Sequence, residues 1–334
     1  MSVSPLDYPR LRHCTLVKQS TTDGLRMIVG TEHFEIENLL GTVEDFLHVK
    51  RYFDGRHHIE QISALTKTPI ADIRSIVEAF NDAGLLRSEP SVEFISAEKY
   101  LSRVNESCVM WRRQIGFHRL FGMLERQEVR REVFLGFILE TYHYVASASK
   151  HIGCAATNCR NPQWQPLLSR YFVEEYDHSE LFLEALSCMA VDRERAKSAH
   201  PIIGTMSLIN MLCEIGRTSS LAYISCLSLI EARADDFAEA KLTMERLSDA
   251  FGFPQNSMQP IISHMEGDIA AGHAGMLEQA LESLPQIPAD EAHFAVNCLH
   301  DLKHSFDQFH DQILQYYSDI SNYIPRLRVD YFSL

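Results

Sequence analysis

Residues 168–185 read Leu168-Ser-Arg-Tyr171-Phe-Val-Glu174-Glu175-Tyr-Asp-His178-Ser-Glu-Leu-Phe182-Leu-Glu-Ala185. Leu168, Tyr171, Glu175, His178, Phe182 and Ala185 recur at intervals of three and four, the spacing of one helix face. That face is apolar apart from one carboxylate and one imidazole. Ionisable groups are rarely left in such a stripe unless they are paired or bind a metal. Glu174 and Asp177 fall off the stripe and read as solvated.

Three other stretches repeat the pattern. Upstream, in Leu139-Glu140-Thr-Tyr-His143-Tyr144-Val145, Glu140 shares a face with Val133, Phe137 and Tyr144, and His143 lies one step round. Downstream, the apolar run Leu221-Ala-Tyr-Ile-Ser-Cys-Leu-Ser-Leu-Ile230 leads directly into Glu231. Farther on, Ile261, His264 and Asp268 align, with Ala271 next on that face. A single buried Glu is equally well explained by an Arg partner, and a lone inward His by a core hydrogen bond. Four such helices in one region, with few interior Arg or Lys in view, favour a shared metal site. Converging Glu, His and Asp side chains are how helical bundles hold a pair of metal ions. Imidazole and carboxylate without thiolate suit iron or manganese better than structural zinc.

The chain around these stretches has two textures. From about residue 95 the pattern is helical almost throughout, with breaks at Gly153–Pro162, His200–Pro201, Gly252–Pro254 and Leu284–Pro288. It reads as about six or seven helices with no competing strand pattern. The first ninety residues differ. Thr15-Leu-Val and Leu25-Arg-Met-Ile-Val29 flank Thr22-Asp-Gly24, a hairpin signal. Helical spacing begins at Ile36, continues through Leu39, Leu40, Val43 and Phe46, resumes near His57-His58, and ends with a helix from Ala71 to Ala83 before Gly84. Ser88-Glu-Pro90 marks the boundary, giving domains 1–90 and 91–334. The fold class is therefore mainly α: a helical bundle preceded by a small α+β, winged-helix-like domain.

Composition excludes several functions. Of 334 residues, 46% are apolar and 23% charged, ordinary for a globular protein. The formal net charge of −14 and the lack of a basic run argue against a nucleic-acid partner. The first thirty residues lack a signal peptide's layout, and no apolar stretch reaches membrane-spanning length. The eight cysteines form no CxxC pair or regular spacing ladder, so a reduced cytoplasmic setting with no membrane partner is expected. His293, His300, His304 and His310 read as a semi-exposed helix face, and Arg112-Arg113 and Arg130-Arg131 as solvated. No Gly-rich phosphate loop or nucleophile elbow is present.

The region from residue 95 resembles the heme-oxygenase-like diiron oxidase superfamily, whose relatives include TenA- and PqqC-type helical enzymes. The resemblance implies a ligand set of Glu140, Glu175, His178, Glu231, His264 and Asp268, with His143 as rival to His178 and Tyr144 beside it. The family pattern also expects a His three residues after Asp268, where this chain has Ala271. The nearest is His273, which on a regular helix points about 140° away from Asp268 unless a π-bulge or unwinding near Gly272 brings it round. Without it, the second metal site is a ligand short, and the expectation is one metal or a weakly bound second. The first ninety residues resemble a PqqD-like peptide-recognition domain, through the hairpin, Phe53-Asp-Gly55, Ile59/Ile62/Leu65 and the Gly84-Leu-Leu86 ending.

The resemblances imply an O2-dependent enzyme carrying two Fe ions, or Mn, that works in natural-product biosynthesis. The substrate would be a peptide or small molecule, with a precursor-peptide leader gripped by the N-terminal domain. A homodimer is an assembly the resemblance allows. The alternatives are a peptide-binding scaffold with an inert bundle, and a cofactor-less TenA- or PqqC-like enzyme using acid–base residues.

Overall fold

The computed structural model describes residues 6–18, 24–30, 32–36, 41–87, 93–330 and 332. The chain divides into two compact units, Met1–Val92 and Glu93–Leu334. The Thr22-Asp-Gly turn, Leu39 and Leu40, and the Ser88–Pro90 segment lie outside the described residues, wholly or in part.

The first unit is a three-stranded antiparallel sheet in the order β1 (Thr15–Lys18), β2 (Leu25–Val29), β3 (Glu32–Ile36), followed by three helices. These are α1 (Val43–Lys50), α2 (Ile59–Thr66) and α3 (Ile70–Asp82). Strand β2 alternates cleanly, burying Leu25, Met27 and Val29, as a half-buried strand must. They meet Ile73, Val77 and Phe80, spaced along one face of α3. The third strand corrects the sequence reading, which starts a helix at Ile36. Ile36 instead pairs with Leu25 at the end of β3. Glu32, His33 and Glu35 leave little apolar alternation to announce a strand.

The second unit is a helical bundle. It runs β4 (Phe94–Ser96), α4 (Ala97–Gly116), α5 (Arg119–Glu125), α6 (Arg131–Val145), α7 (Ala148–Asn158), α8 (Gln165–Glu174) and α9 (Ser179–Cys188). Then come α10 (Arg193–Ser198), α11 (Ile203–Thr218), α12 (Ser220–Ile230), α13 (Ala234–Ala250) and α14 (Gln259–Ala271). A short 3-10 turn (His273–Gly275), α15 (Met276–Leu281), β5 (Gln286–Pro288) and α16 (Ala289–Ser318) complete it. Helix α12 is apolar all round, with every residue from Leu221 to Leu229 buried, so it is the central helix of the bundle. No helix among the described residues is long and apolar enough to cross a membrane.

Two details differ from the sequence reading. Strands β4 and β5 pair antiparallel, Ile95 opposite Ile287, a contact between distant segments that local pattern cannot reveal. The bundle also has thirteen α-helices among the described residues rather than six or seven. Stretches read as continuous are cut by short turns, and one of those cuts falls inside residues 168–185.

Candidate metal centre

Helix α8 stops at Glu174, and α9 begins at Ser179. Glu175 and His178 therefore sit in a turn between two helices, not within one stripe. The local charge pattern accounts for the break. Acidic residues are unfavourable at a helix C-terminus but favourable at the N-terminus of the next helix. The Asp177 carbonyl accepts from Glu180 N–H as α9 starts.

Glu231 is the C-cap of α12, where the backbone turns extended. His264 and Asp268 lie one turn apart on α14, their Nδ1 and Oδ2 atoms 2.9 Å apart. Helix α14 ends in Gly272, whose φ of +74° is left-handed, a conformation glycine takes without penalty. The chain unwinds there, and the 3-10 turn that follows carries His273 into the cluster. His273 Nδ1 lies 3.0 Å from Glu175 Oε1, 3.5 Å from Glu231 Oε2 and 3.7 Å from Asp268 Oδ1. His178 Nδ1 lies 3.1 Å from Glu175 Oε2 and 3.5 Å from Asp268 Oδ1.

These side chains form two groups of four, each offering ligand atoms within 4.8 Å of one another. One is Glu175, His178, His264 and Asp268; the other is Glu175, Glu231, Asp268 and His273. Glu175 and Asp268 belong to both. The donor atoms fit a cation better than they fit each other. Glu175 Oε1, His178 Nδ1, His264 Nε2, Asp268 Oδ1 and His273 Nδ1 are buried and, although some lie close together, none is aligned for a hydrogen bond to a described residue. Such orphans are costly unless something not made of protein satisfies them.

The electrostatics agree. Burial alone would raise the Glu175 carboxyl, but contact with His178 and His273 holds it down at about 2. His273 is pushed up to about 11: burial opposes its charge, and Glu175 and Glu231 overcome that. Glu231 is raised, first by burial and further by the charges of Glu175 and Asp268, with the His273 contact opposing. Without a cation, the cluster stores protons to offset its carboxylates.

Surrounding groups orient the cluster. Tyr171 donates to Glu231 Oε1 at 2.5 Å, and its ring meets His273 edge-on. His273 Nε2 lies 3.0 Å from Glu174 Oε2. Glu174, expected to be solvated, is thus the carboxylate that fixes the His273 ring and leaves Nδ1 free to face the cluster. Its position C-terminal to Arg170 on an exposed-looking face gave no sign of this. The Tyr144 ring packs against His151 and Phe306, and its phenol is raised first by burial and then by the charges of Glu231 and Glu175. A cavity of about 220 Å³ adjoins the segments that follow Glu231 and surround His273, lined by Arg233, Asp235, Ile269, Gly272 and Gly275 among others.

The structure does not bring Glu140 into either group. Its carboxylate is saturated elsewhere: Oε2 accepts from Thr205 Oγ1 at 2.5 Å and from Ile202 N–H at 3.2 Å, and Oε1 accepts from Tyr317 Oη at 2.5 Å. Ile202 is the N-cap of α11 and offers no capping side chain of its own, so Glu140 satisfies that helix end from a neighbouring helix. His143 is outside both groups too. It is buried with Nε2 unpartnered, and burial and then His200 lower it to about 4.

The remaining candidates also separate. His300 and His304 face each other with Nε2 atoms 3.2 Å apart, whereas His310 is not on an exposed face but buried against Phe121, Phe137 and Phe306. Three of the four arginines make contacts, Arg112 donating to Ser228 O, Arg130 pairing with Glu132 and Arg131 lying over the Phe253 ring, while Arg113 is exposed.

With this geometry established, comparison with known proteins gives the class. The fold is heme-oxygenase-like, and the chain belongs to the iron-containing redox enzyme family, whose family model matches residues 135–304. A domain of unknown function with a heme oxygenase-like fold from Shewanella denitrificans is 16% identical, covering 67% of this chain and 97% of its own, with a TM-score of 0.57. A TenA homolog from Pseudomonas syringae pv. tomato is 12% identical, covering 69% of this chain and 98% of its own, with a TM-score of 0.50. At these identities the likeness is one of fold. No curated protein matches the sequence.

Proposed function

We propose that the chain is an O2-dependent, non-heme diiron oxidase or oxygenase of natural-product biosynthesis, with its substrate presented by the first unit. The observation that carries the reading is the pair of four-residue groups that share Glu175 and Asp268. One ion would be held by His178 and His264, the other by Glu231 and His273, with the two shared carboxylates serving both. Oxygen- and nitrogen-rich ligation suits Fe(II), with Mn(II) the rival. Bound there, a pair of redox-active ions supplies the electrons that activate O2 for oxidation of an otherwise inert bond.

The chain's own groups prepare the site. Tyr171 holds one Glu231 oxygen and leaves the other facing the cluster. Glu174 anchors the far nitrogen of His273. Burial of Glu175, Asp268 and His273 keeps bulk water from the reacting atoms.

The first unit would act as a PqqD-like peptide-recognition domain. Its outer strands β1 and β3 offer edges to which an extended leader peptide can add. Tethering raises the local concentration of the modified residue without extra contacts at the metals. Chemical shift changes confined to β1 or β3 on adding a candidate leader peptide would support that role. An unperturbed sheet would return the substrate to small molecules.

The metal reading is tested by anaerobic Fe(II) loading and elemental analysis. Wild type should hold two ions per chain, Asp268→Ala neither, and His264→Ala only the ion of the Glu231 and His273 group. Equal retention in all three proteins, or full aerobic turnover of a metal-free preparation, defeats the proposal.

A further inference from the structure

His151 on α7 and Tyr223 on α12 form a buried pair that the metal centre leaves without a task. His151 is 2% exposed, and its Nδ1 lies 2.7 Å from Tyr223 Oη. Its Nε2 is buried with no hydrogen-bond partner among the described residues. The imidazole also lies nearly parallel to the Tyr144 ring, with centroids 6.0 Å apart. His151 feels the charge of Glu175, and Tyr144 and Tyr223 feel both Glu175 and Glu231. The three rings therefore lie within electrostatic reach of the cluster's carboxylates.

Counting protons fixes the tautomer. If Nδ1 carried the proton it would donate to Tyr223 Oη. The phenol's own proton would then have no acceptor, and Nε2 would be a lone pair with no donor. If the phenol donates to Nδ1 instead, both Tyr223 and Nδ1 are satisfied and the one orphan is the Nε2–H donor. One buried orphan costs less than two. The favoured state leaves an unused, buried N–H in the bundle interior.

We propose that His151 Nε2–H is a ligand-binding donor, holding an anionic or carbonyl oxygen acceptor of a ligand seated beside Glu175, with Tyr223 as the positioning residue that fixes the tautomer. The substrate implied is one that carries such an acceptor close to its reacting bond. This inference rests on the metal-centre reading above.

The test uses full-length, iron-loaded protein with sodium azide as the acceptor probe, titrated by visible absorption. His151→Phe should take up as much iron as wild type yet bind azide about ten- to a hundredfold more weakly, the loss expected for one hydrogen bond to a charged group. His151→Gln, which keeps an N–H near the position of Nε2, should recover most of the affinity. Tyr223→Phe should lose a few-fold as the tautomer is freed. Equal azide affinity in His151→Phe and wild type overturns the proposal, as does nitrogen NMR of the metal-free wild type placing the proton on Nδ1. The spectrum needs no variant, so a misfolded mutant cannot shelter the idea. Failure of the wild type to bind iron is recognised separately, as failure of the metal reading itself.

Discussion

Replacing Glu140 with Ala separates a ligand from a cap. The carboxylate accepts three hydrogen bonds, from Thr205, Tyr317 and the Ile202 N–H, and all three donors are left behind in a site that is fully buried. A buried donor without an acceptor costs about 1–3 kcal/mol. Water entering the vacated space would relieve part of this, so the combined loss falls at about 3–5 kcal/mol. The close fit here leaves little room for the helices to relax: a Cβ on Gly136 would lie 2.3 Å from the Tyr317 ring, which packs directly on α6. For a unit of this size the loss corresponds to a fall in melting temperature of roughly 6–20 °C. Calorimetry of the metal-free protein reads the stability, and elemental analysis after anaerobic Fe(II) loading reads the ligands. Glu140→Ala should melt early and still bind iron fully at low temperature. A variant of unchanged melting temperature that has lost an ion would show that Glu140 is a ligand and that the capping account is wrong.

Other perturbations probe other parts of the argument. Gly272→Ala forces a side chain into a left-handed backbone position, at a cost of about 1–2 kcal/mol, although open space surrounds it. Relaxation of φ would swing His273 away, so metal analysis should find the ion of the Glu231 group lost and the other kept; two retained ions would contradict the turn's role. In the metal-free protein His273 is raised to about 11, so at neutral pH each metal ion bound there must displace its proton. Apparent iron affinity should climb with pH, about tenfold per unit for each proton released, and a flat profile would refute this. His310 is lowered to about 3, chiefly by burial. Its neutral form therefore contributes stability that is present above the unfolded histidine value near 6.5 and lost as the pH falls toward 3. His310→Phe, which suits the surrounding phenylalanines, should flatten the acid limb of a pH–melting curve; an identical limb would mean that other groups govern acid unfolding.

The residues of the cluster were legible because their types and spacings are rare in apolar stripes, but their geometry was not. Periodicity assumes a continuous helix, and four of the six clustered groups sit where helices stop. Glu175 and Glu231 are C-caps, His178 is an N-cap, and His273 follows the left-handed Gly272. A helix interior fixes a side chain's direction to one of a few angles, whereas a helix end frees the backbone to aim it. Only His264 and Asp268 obey the simple i, i+4 rule. The same limit explains Glu140. A carboxylate in an apolar stripe announces that something buried must satisfy it, without saying whether that is a cation or the N-terminus of a neighbouring helix. Nothing in Leu139-Glu140-Thr distinguishes the two, because the deciding partners, Ile202, Thr205 and Tyr317, lie 62 to 177 positions away. Glu174 errs in the opposite direction: off the stripe and beside Arg170, it looks solvated until the reversal at Gly272 delivers His273 to it. A helical pattern can thus nominate ionisable groups for an interior site. Which of them meet is decided by the breaks between helices, and Gly272 is the break on which the second group depends.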